Sequence, residues 1–259
     1  MNPSSARLKD KRILVTRPRQ RAEEICFLLE EESAQVWAVP FLEMLPPSNP
    51  APLQAAAENL HRYSWVLFTS PSGVEGMVEA LRQAKSLSYL SKVRVGVVGP
   101  KTAALARSYG IEVSCEALQE TGEGLFEVLK PWLKPGDEIL LPVAQQARVE
   151  LPQLLRDHGF EVVQVAAYRT EETALSEATK DQLLTSRLDA VIFASPKTAL
   201  AFASALGLVE ATQVLRQSAV VAIGPTTERA LLAQGIGVAE VATHPTAMAL
   251  VEAVVRALG

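Results

Sequence analysis

Four short turns hold the side chains best suited to chemistry in this 259-residue chain: Thr69-Ser70-Pro71-Ser72-Gly73, Gly99-Pro100-Lys101-Thr102, Ser195-Pro196-Lys197-Thr198 and Gly224-Pro225-Thr226-Thr227. Each places hydroxyls around a proline of the kind favoured at the first position of a helix. A helix start offers unpaired backbone N–H groups and the positive end of the helix dipole, so these turns suit carboxylates or phosphates. One Ser or Thr ahead of a helix is an ordinary N-cap. Four such turns in two matched pairs hold more hydroxyls than capping uses. A second kind of chemistry is offered by Ala167-Tyr168-Arg169-Thr170, which carries a phenol and a guanidinium; Tyr168 is the best placed of four tyrosines.

The common catalytic signatures are absent from the sequence. It contains no Gly-x-Gly-x-x-Gly, no P-loop and no Gly-x-Ser-x-Gly elbow, so nucleotide cofactors and serine hydrolysis lack support. His61 and His158 read as helix-end cations and His244 as a loop residue before Pro245, none with an identifiable partner for general-base work. The two cysteines, Cys26 and Cys115, stand far apart with no second ligand at metal spacing, so neither a disulfide framework nor a metal site is indicated.

The elements that must carry these turns emerge when the chain is compared with itself. At an offset of 125, Val66 to Pro71 align with Val191 to Pro196, Gly99 to Thr102 with Gly224 to Thr227, and Gly110-Ile111 with Gly235-Ile236; residues 66–127 and their partners share 18 identities. Random composition would give about 4. At an offset of 126, Ile13-Leu14 pair with Ile139-Leu140 and Val36 with Val162, with 8 identities in 27. Two copies of one unit therefore span about 13–132 and 139–257. Short apolar runs such as Val93 to Val98 and Ala219 to Ile223 alternate with helical patterns such as Arg21 to Glu32 and Thr226 to Gln234. That rhythm predicts α/β architecture with parallel sheets covered on both faces.

The rhythm breaks at Pro40 to Pro52, which holds five prolines, and at the short polar stretch Ala166 to Ala174. Both occupy equivalent places in the two copies and read as crossings between two lobes, because a proline-rich stretch fits neither a helix nor a central strand. Each copy could also close on itself as a contiguous lobe. In either arrangement the paired turns are expected to face a ligand cleft.

Composition narrows the partners. Apolar residues make up 48% and charged residues 21%, ordinary for a globular protein, and the net charge of −4 gives no basic footprint for nucleic acid. No apolar run approaches the ~20 residues that span a bilayer and no signal core opens the chain, so the expectation is a cytoplasmic protein with no membrane partner.

The ordered set Ile13-Leu14-Val15-Thr16-Arg17-Pro18, Trp65 to Pro71, Gly99 to Thr102, Leu141-Pro142, Ala167-Tyr168-Arg169, Phe193 to Pro196 and Ile223 to Thr227 resembles the uroporphyrinogen-III synthase family over nearly the whole chain. The resemblance implies two similar flavodoxin-like lobes, each a parallel sheet flanked by helices. Residues 1–39 and 172–259 would form one lobe and 42–165 the other, with 40–41 and 166–171 as a two-stranded connection. It implies a small-molecule substrate, the carboxylate-rich linear tetrapyrrole hydroxymethylbilane, handed over transiently by hydroxymethylbilane synthase. The implied reaction loses the terminal hydroxyl as water, passes through a spiro intermediate and recloses with ring D inverted, with no cofactor and no metal, in a monomer. Tyr168 matches the family's tyrosine and becomes the catalytic candidate. Thr227 and Ser195 are the leading substrate-binding candidates, joined by Thr226, Gly224, Pro196, Thr69, Ser70, Thr102, Lys101, Arg17 and Arg148. One departure weakens Arg148: many members have Arg-Gly directly after the strand taken to end at Leu141-Pro142, where this chain has Val143-Ala144, so Arg148 reads equally well as a solvated helix residue. A non-catalytic two-lobed binding protein or sensor for a small polyanion is the main alternative. A nucleotide-sugar transferase would want an acidic metal-binding pair that the sequence does not supply.

Overall fold

The computed structural model describes residues 6–17, 22–147 and 150–259. It divides into two compact units, one built from the chain up to Glu43 together with Glu171 onward, the other from Met44–Thr170. Unit 1 opens with strand β1 (Arg12–Val15), helix α1 (Glu23–Glu31) and strand β2 (Gln35–Ala38). Strand β3 (Leu42–Leu45) leads into unit 2, which holds α2 (Ala51–Glu58), β4 (Trp65–Phe68), α3 (Pro71–Gln83), β5 (Arg94–Val97), α4 (Pro100–Ser108) and β6 (Cys115–Glu116). It continues through α5 (Gly122–Leu129), β7 (Glu138–Ala144), α6 (Glu150–Asp157) and the long β8 (Glu161–Glu172). Unit 1 is completed by α7 (Glu177–Thr185), β9 (Ala190–Phe193), α8 (Pro196–Leu206), α9 (Leu208–Arg216), β10 (Ala219–Ala222), α10 (Pro225–Leu232), β11 (Glu240–Val241) and α11 (Ala247–Leu258).

Among the described residues, unit 1 contains a five-stranded sheet in the order β11-β10-β9-β1-β2, with parallel pairing throughout. Counted along unit 1 alone, this is the flavodoxin-like order 2-1-3-4-5. Both faces are covered: Phe41, Phe193 and Phe202 lie in the core on one side, Leu29, Val251 and Val254 on the other. Every residue of β9, Ala-Val-Ile-Phe, is buried, which explains why this strand reads as a continuous apolar run rather than an alternating one. Unit 2 contains a six-stranded sheet in the order β3-β8-β7-β4-β5-β6. Five of its strands repeat the unit 1 arrangement, and β3 is added beside β8. Its two faces bury Val66, Phe68 and Met77 on one side and Leu67, Phe126 and Leu141 on the other.

The internal duplication extends to hydrogen-bond register. In unit 1, Ile13 of β1 faces Ala190 of β9, and in unit 2 their sequence equivalents Ile139 of β7 and Trp65 of β4 face each other. Trp65 opposite Arg94 likewise matches Ala190 opposite Ala219. The unit 1 sheet takes two strands from the first sequence copy and three from the second, and the unit 2 sheet takes two from the second copy and four, β3 included, from the first, so neither copy closes on itself. The repeated Gly-Ile pair also has one structural cause in both places. Gly110 (φ 75°) and Gly235 (φ 74°) take the left-handed conformation after α4 and α10, and the N–H groups of buried Ile111 and Ile236 reach back to Ala106 and Leu231 carbonyls at 3.1 Å. Left-handed backbone favours glycine, and the apolar residue that follows seals the helix end.

The two crossing stretches take definite form. Leu42–Leu45 of the proline-rich one is β3, at the edge of the unit 2 sheet beside β8, where prolines nearby interrupt no ladder on the outer side. In Ala166 to Ala174 the residues through Glu172 continue β8. One sequence expectation needs correction. The strand expected to end at Leu141-Pro142 runs on to Ala144. Pro142 is tolerated inside it because β4 pairs with β7 only at Ile139 and Leu140, so the missing N–H removes no bond on that side.

Candidate functional site

In a doubly wound sheet, the crevice for a ligand opens beyond the carboxyl ends of the two strands whose following helices leave on opposite faces. In unit 1 these strands are β1 and β9, since α1 packs into the Leu29 core and α8 into the Phe202 core. In unit 2 they are β7 and β4, followed by α6 and α3 on opposite faces. The hydroxyl-bearing turns lie at these ends.

In unit 1, the Thr16 hydroxyl donates to the Ile192 carbonyl at 2.7 Å, and the Arg17 guanidinium reaches the Ala194 carbonyl at 3.4 Å. Arg17 is thereby placed next to the Ser195 turn. Ser195 is the N-cap of α8 and accepts the Thr198 N–H at 3.2 Å, while its hydroxyl also pairs with the Thr198 hydroxyl at 2.6 Å. Pro196 follows at the first turn of the helix. The neighbouring α10 begins at Gly224 without any side-chain cap. Thr227 is 2% exposed there, while Thr226 faces solvent.

Unit 2 repeats the pattern with one difference. Ser70 caps α3 by accepting the Gly73 N–H at 3.2 Å, and Thr69 is half-buried before it. Helix α4 starts at Gly99, again without a side-chain cap, with Thr102 2% exposed and Lys101 in solvent. Gly99 has φ 98°, a left-handed backbone that favours glycine, and its open side faces the end of the flexible Glu120 side chain. The difference concerns the second partner of the capping serine. The Ser70 hydroxyl lies 3.2 Å from the Tyr168 phenol oxygen, where the equivalent Ser195 uses Thr198.

Tyr168 reaches Ser70 because β8 is irregular. Val143 pairs with Ala166 but Ala144 pairs with Tyr168, so Ala167 is an extra residue in the ladder. Val165 and Ala167 both face the core beneath α3, and strict alternation would send Tyr168 to the opposite face. The bulge keeps Tyr168 on the α3 side, half-buried against the same core. The Gln145 N–H holds the Tyr168 carbonyl at 2.7 Å. Arg169, expected alongside the phenol, instead donates to the Pro46 carbonyl.

The sequence candidates therefore fall into two groups: Arg17, Ser195, Pro196, Gly224, Thr226 and Thr227 in unit 1, and Thr69, Ser70, Lys101, Thr102 and Tyr168 in unit 2. Arg148 lies outside the described residues. His61, His158 and His244 are exposed; the His158 ring packs on Phe126 with centroids 4.6 Å apart and bonds to the Leu154 carbonyl. Burial pushes the Cys115 thiol up to about 11, so little thiolate exists there at neutral pH. Among the described residues no cluster of His, Cys, Asp or Glu has the makings of a metal site, and no single helix is long and apolar enough to cross a membrane. A unit 1 cavity of about 380 Å³ lined by Lys9, Asp10, Lys11, Arg12, Arg187 and Asp189 lies at the strands' amino ends, away from every helix start named above. Sequence reasoning gave no role to Gly73 and Gly76, which bring α3 close to strand backbone, or to the bulge at Ala167; two glycines three apart inside a helical pattern are costly unless packing requires them, and that cost was the available signal.

Comparison with known proteins is consistent across three measures. The family model described as uroporphyrinogen-III synthase HemD matches residues 23–252. The uroporphyrinogen-III synthase of Synechococcus elongatus is 31% identical over 226 residues, 84% of each chain. That of Chlorobaculum parvum is 28% identical, covering 88% of this chain and 91% of its own. The crystal structure of uroporphyrinogen-III synthetase from Helicobacter pylori superposes with a TM-score of 0.66 at 20% identity, over 93% of this chain and 97% of that one, a likeness of fold.

Proposed function

This chain belongs to the uroporphyrinogen-III synthase family, and from that premise we propose that it is an enzyme of porphyrin biosynthesis, a lyase. It closes hydroxymethylbilane to uroporphyrinogen III with loss of water, inverting ring D through a spiro intermediate. Family membership disfavours the alternative of a non-catalytic polyanion sensor.

The observation that carries the chemical assignment is the Tyr168 phenol, 3.2 Å from the Ser70 hydroxyl at the start of α3. Ser70 already accepts the Gly73 N–H, so its own proton is available to the phenol oxygen. The phenolic proton is then free for the departing hydroxyl of the substrate. As that proton transfers, negative charge develops on the phenol oxygen, where the Ser70 O–H and the positive end of α3 stabilise it. The uncapped starts of α4 and α10 and the buried hydroxyls of Thr102 and Thr227 bind substrate carboxylates within their own units, which orients the chain of pyrroles for closure. Because the activated pyrrole is intrinsically reactive, positioning does more than acid–base chemistry to exclude the symmetrical isomer.

Freshly prepared hydroxymethylbilane offered to the purified protein tests this reading. The expected product, resolved by chromatography after oxidation, is the type III isomer at a rate above spontaneous closure; type I isomer alone at the spontaneous rate rejects it. In the same assay Thr227→Ala raises KM about tenfold with kcat little changed, as expected for losing one hydrogen bond to a charged group.

A further inference from the structure

The phenol is placed by backbone packing two elements away. Helix α3 carries glycine at 73 and 76, and both face strands β7 and β8. A Cβ at Gly73 would lie 2.6 Å from the Pro142 carbonyl oxygen, and one at Gly76 would overlap the carbonyl oxygen of Ala167, the extra residue of the β8 bulge. The first turns of α3 thus rest directly on strand backbone, with no side chain between. Such a seat fixes the height of the helix start to within tenths of an ångström, since carbonyl oxygens of a paired strand have little room to move.

The second copy of the same turn shows what the glycines change. The residues equivalent to Gly73 and Gly76 are Thr198 and Ala201. In unit 1 the Thr198 hydroxyl occupies Ser195 at 2.6 Å. In unit 2, glycine at the matching place offers no hydroxyl, and Ser70 turns to Tyr168. The bulge that presents Tyr168 on the α3 face is the same irregularity whose carbonyl sits against Gly76.

We propose that Gly76, with Gly73, is a positioning residue for the reaction: the two glycines seat α3 on Pro142 and Ala167 so that its capping serine holds the Tyr168 phenol for proton donation. This rests on the functional reading above, with Tyr168 as the catalytic group. The two glycines touch no substrate and act through Ser70 and Tyr168.

A double-mutant cycle in the cyclisation assay separates this role from general loss of structure. Gly76→Ala is expected to lower kcat about tenfold, the scale of a sub-ångström misplacement, with KM within about twofold. In the Tyr168→Phe background the same substitution is expected to change kcat less than about twofold, because the group it misplaces is gone. An equal loss in both backgrounds, or no loss in the wild-type background, overturns the proposal. Ser70→Ala, which removes a hydroxyl and introduces no overlap, must show the same dependence on Tyr168 even if Gly76→Ala fails to fold; a loss that persists in Tyr168→Phe also overturns it. Wild-type protein is the control: absence of type III product there refutes the functional reading itself, whereas active wild type with additive variants refutes only the positioning role.

Discussion

Tyr168→Phe lowers kcat for formation of the type III isomer by about 100-fold, with KM changed less than about twofold. A positioned general acid contributes 10² to 10⁴, and the lower end applies because the hydroxyl leaves from an activated position on an electron-rich pyrrole. KM is spared because the substituted ring keeps its packing against the core beneath α3 and loses only the hydroxyl, 3.2 Å from Ser70. Product analysis adds a second readout. When the enzymatic step slows, substrate released unreacted closes in solution, so the fraction of type I isomer rises as kcat falls. A variant with unchanged kcat and isomer ratio removes Tyr168 from the mechanism.

Phe202→Ala destabilises the protein by about 4 kcal/mol, the usual cost of emptying a buried aromatic position. Phe202 has 0% exposure and lies between Phe41, 4.9 Å away by ring centroids, and Phe193 at 5.4 Å in edge-to-face geometry. Aromatic pairs of this kind add to the area they bury, and three rigid rings leave little scope for neighbours to collapse into the void. Leu200→Ala, two residues earlier on α8 at a site 52% exposed, changes stability by about 0.5 kcal/mol or less. Denaturant titration compares the two variants, and hydrogen exchange localises the loss to peptides of unit 1. Equal midpoints for the two variants contradict the packing described here.

Much of this architecture was legible in the residues, because parallel strands buried on both faces leave apolar runs such as Val191 to Phe193, and helix starts leave Ser-Pro and Gly-Pro. The duplication was legible because capping, left-handed glycines and register impose the same residue types twice. Interleaving of the two copies came only with the family resemblance, since a strand's composition does not record which neighbour it pairs with. Individual site residues were readable only as types. Nothing in Tyr168 itself announces a bulge at Ala167, because a bulge is a mismatch between two strands distant in sequence. The partition of serine roles was equally hidden: Ser70 and Ser195 share the same Ser-Pro cap, and the difference that bears on their hydroxyls lies three residues on, at Gly73 against Thr198.

The matched registers of the two sheets bear on how such a chain arose and assembles. Strand β1, the neighbour of β2, finds its other partner β9 only after all of unit 2 has been made, so residues 44–170 are able to fold during synthesis while the amino-terminal strands wait. One copy carries all five strand positions of such a sheet, yet here the two copies lend strands to each other and complete two sheets jointly. The present chain has the connectivity of an exchanged homodimer joined end to end, and joining lets its two halves differ, as they do where Ser70 meets the Tyr168 phenol and Ser195 meets Thr198.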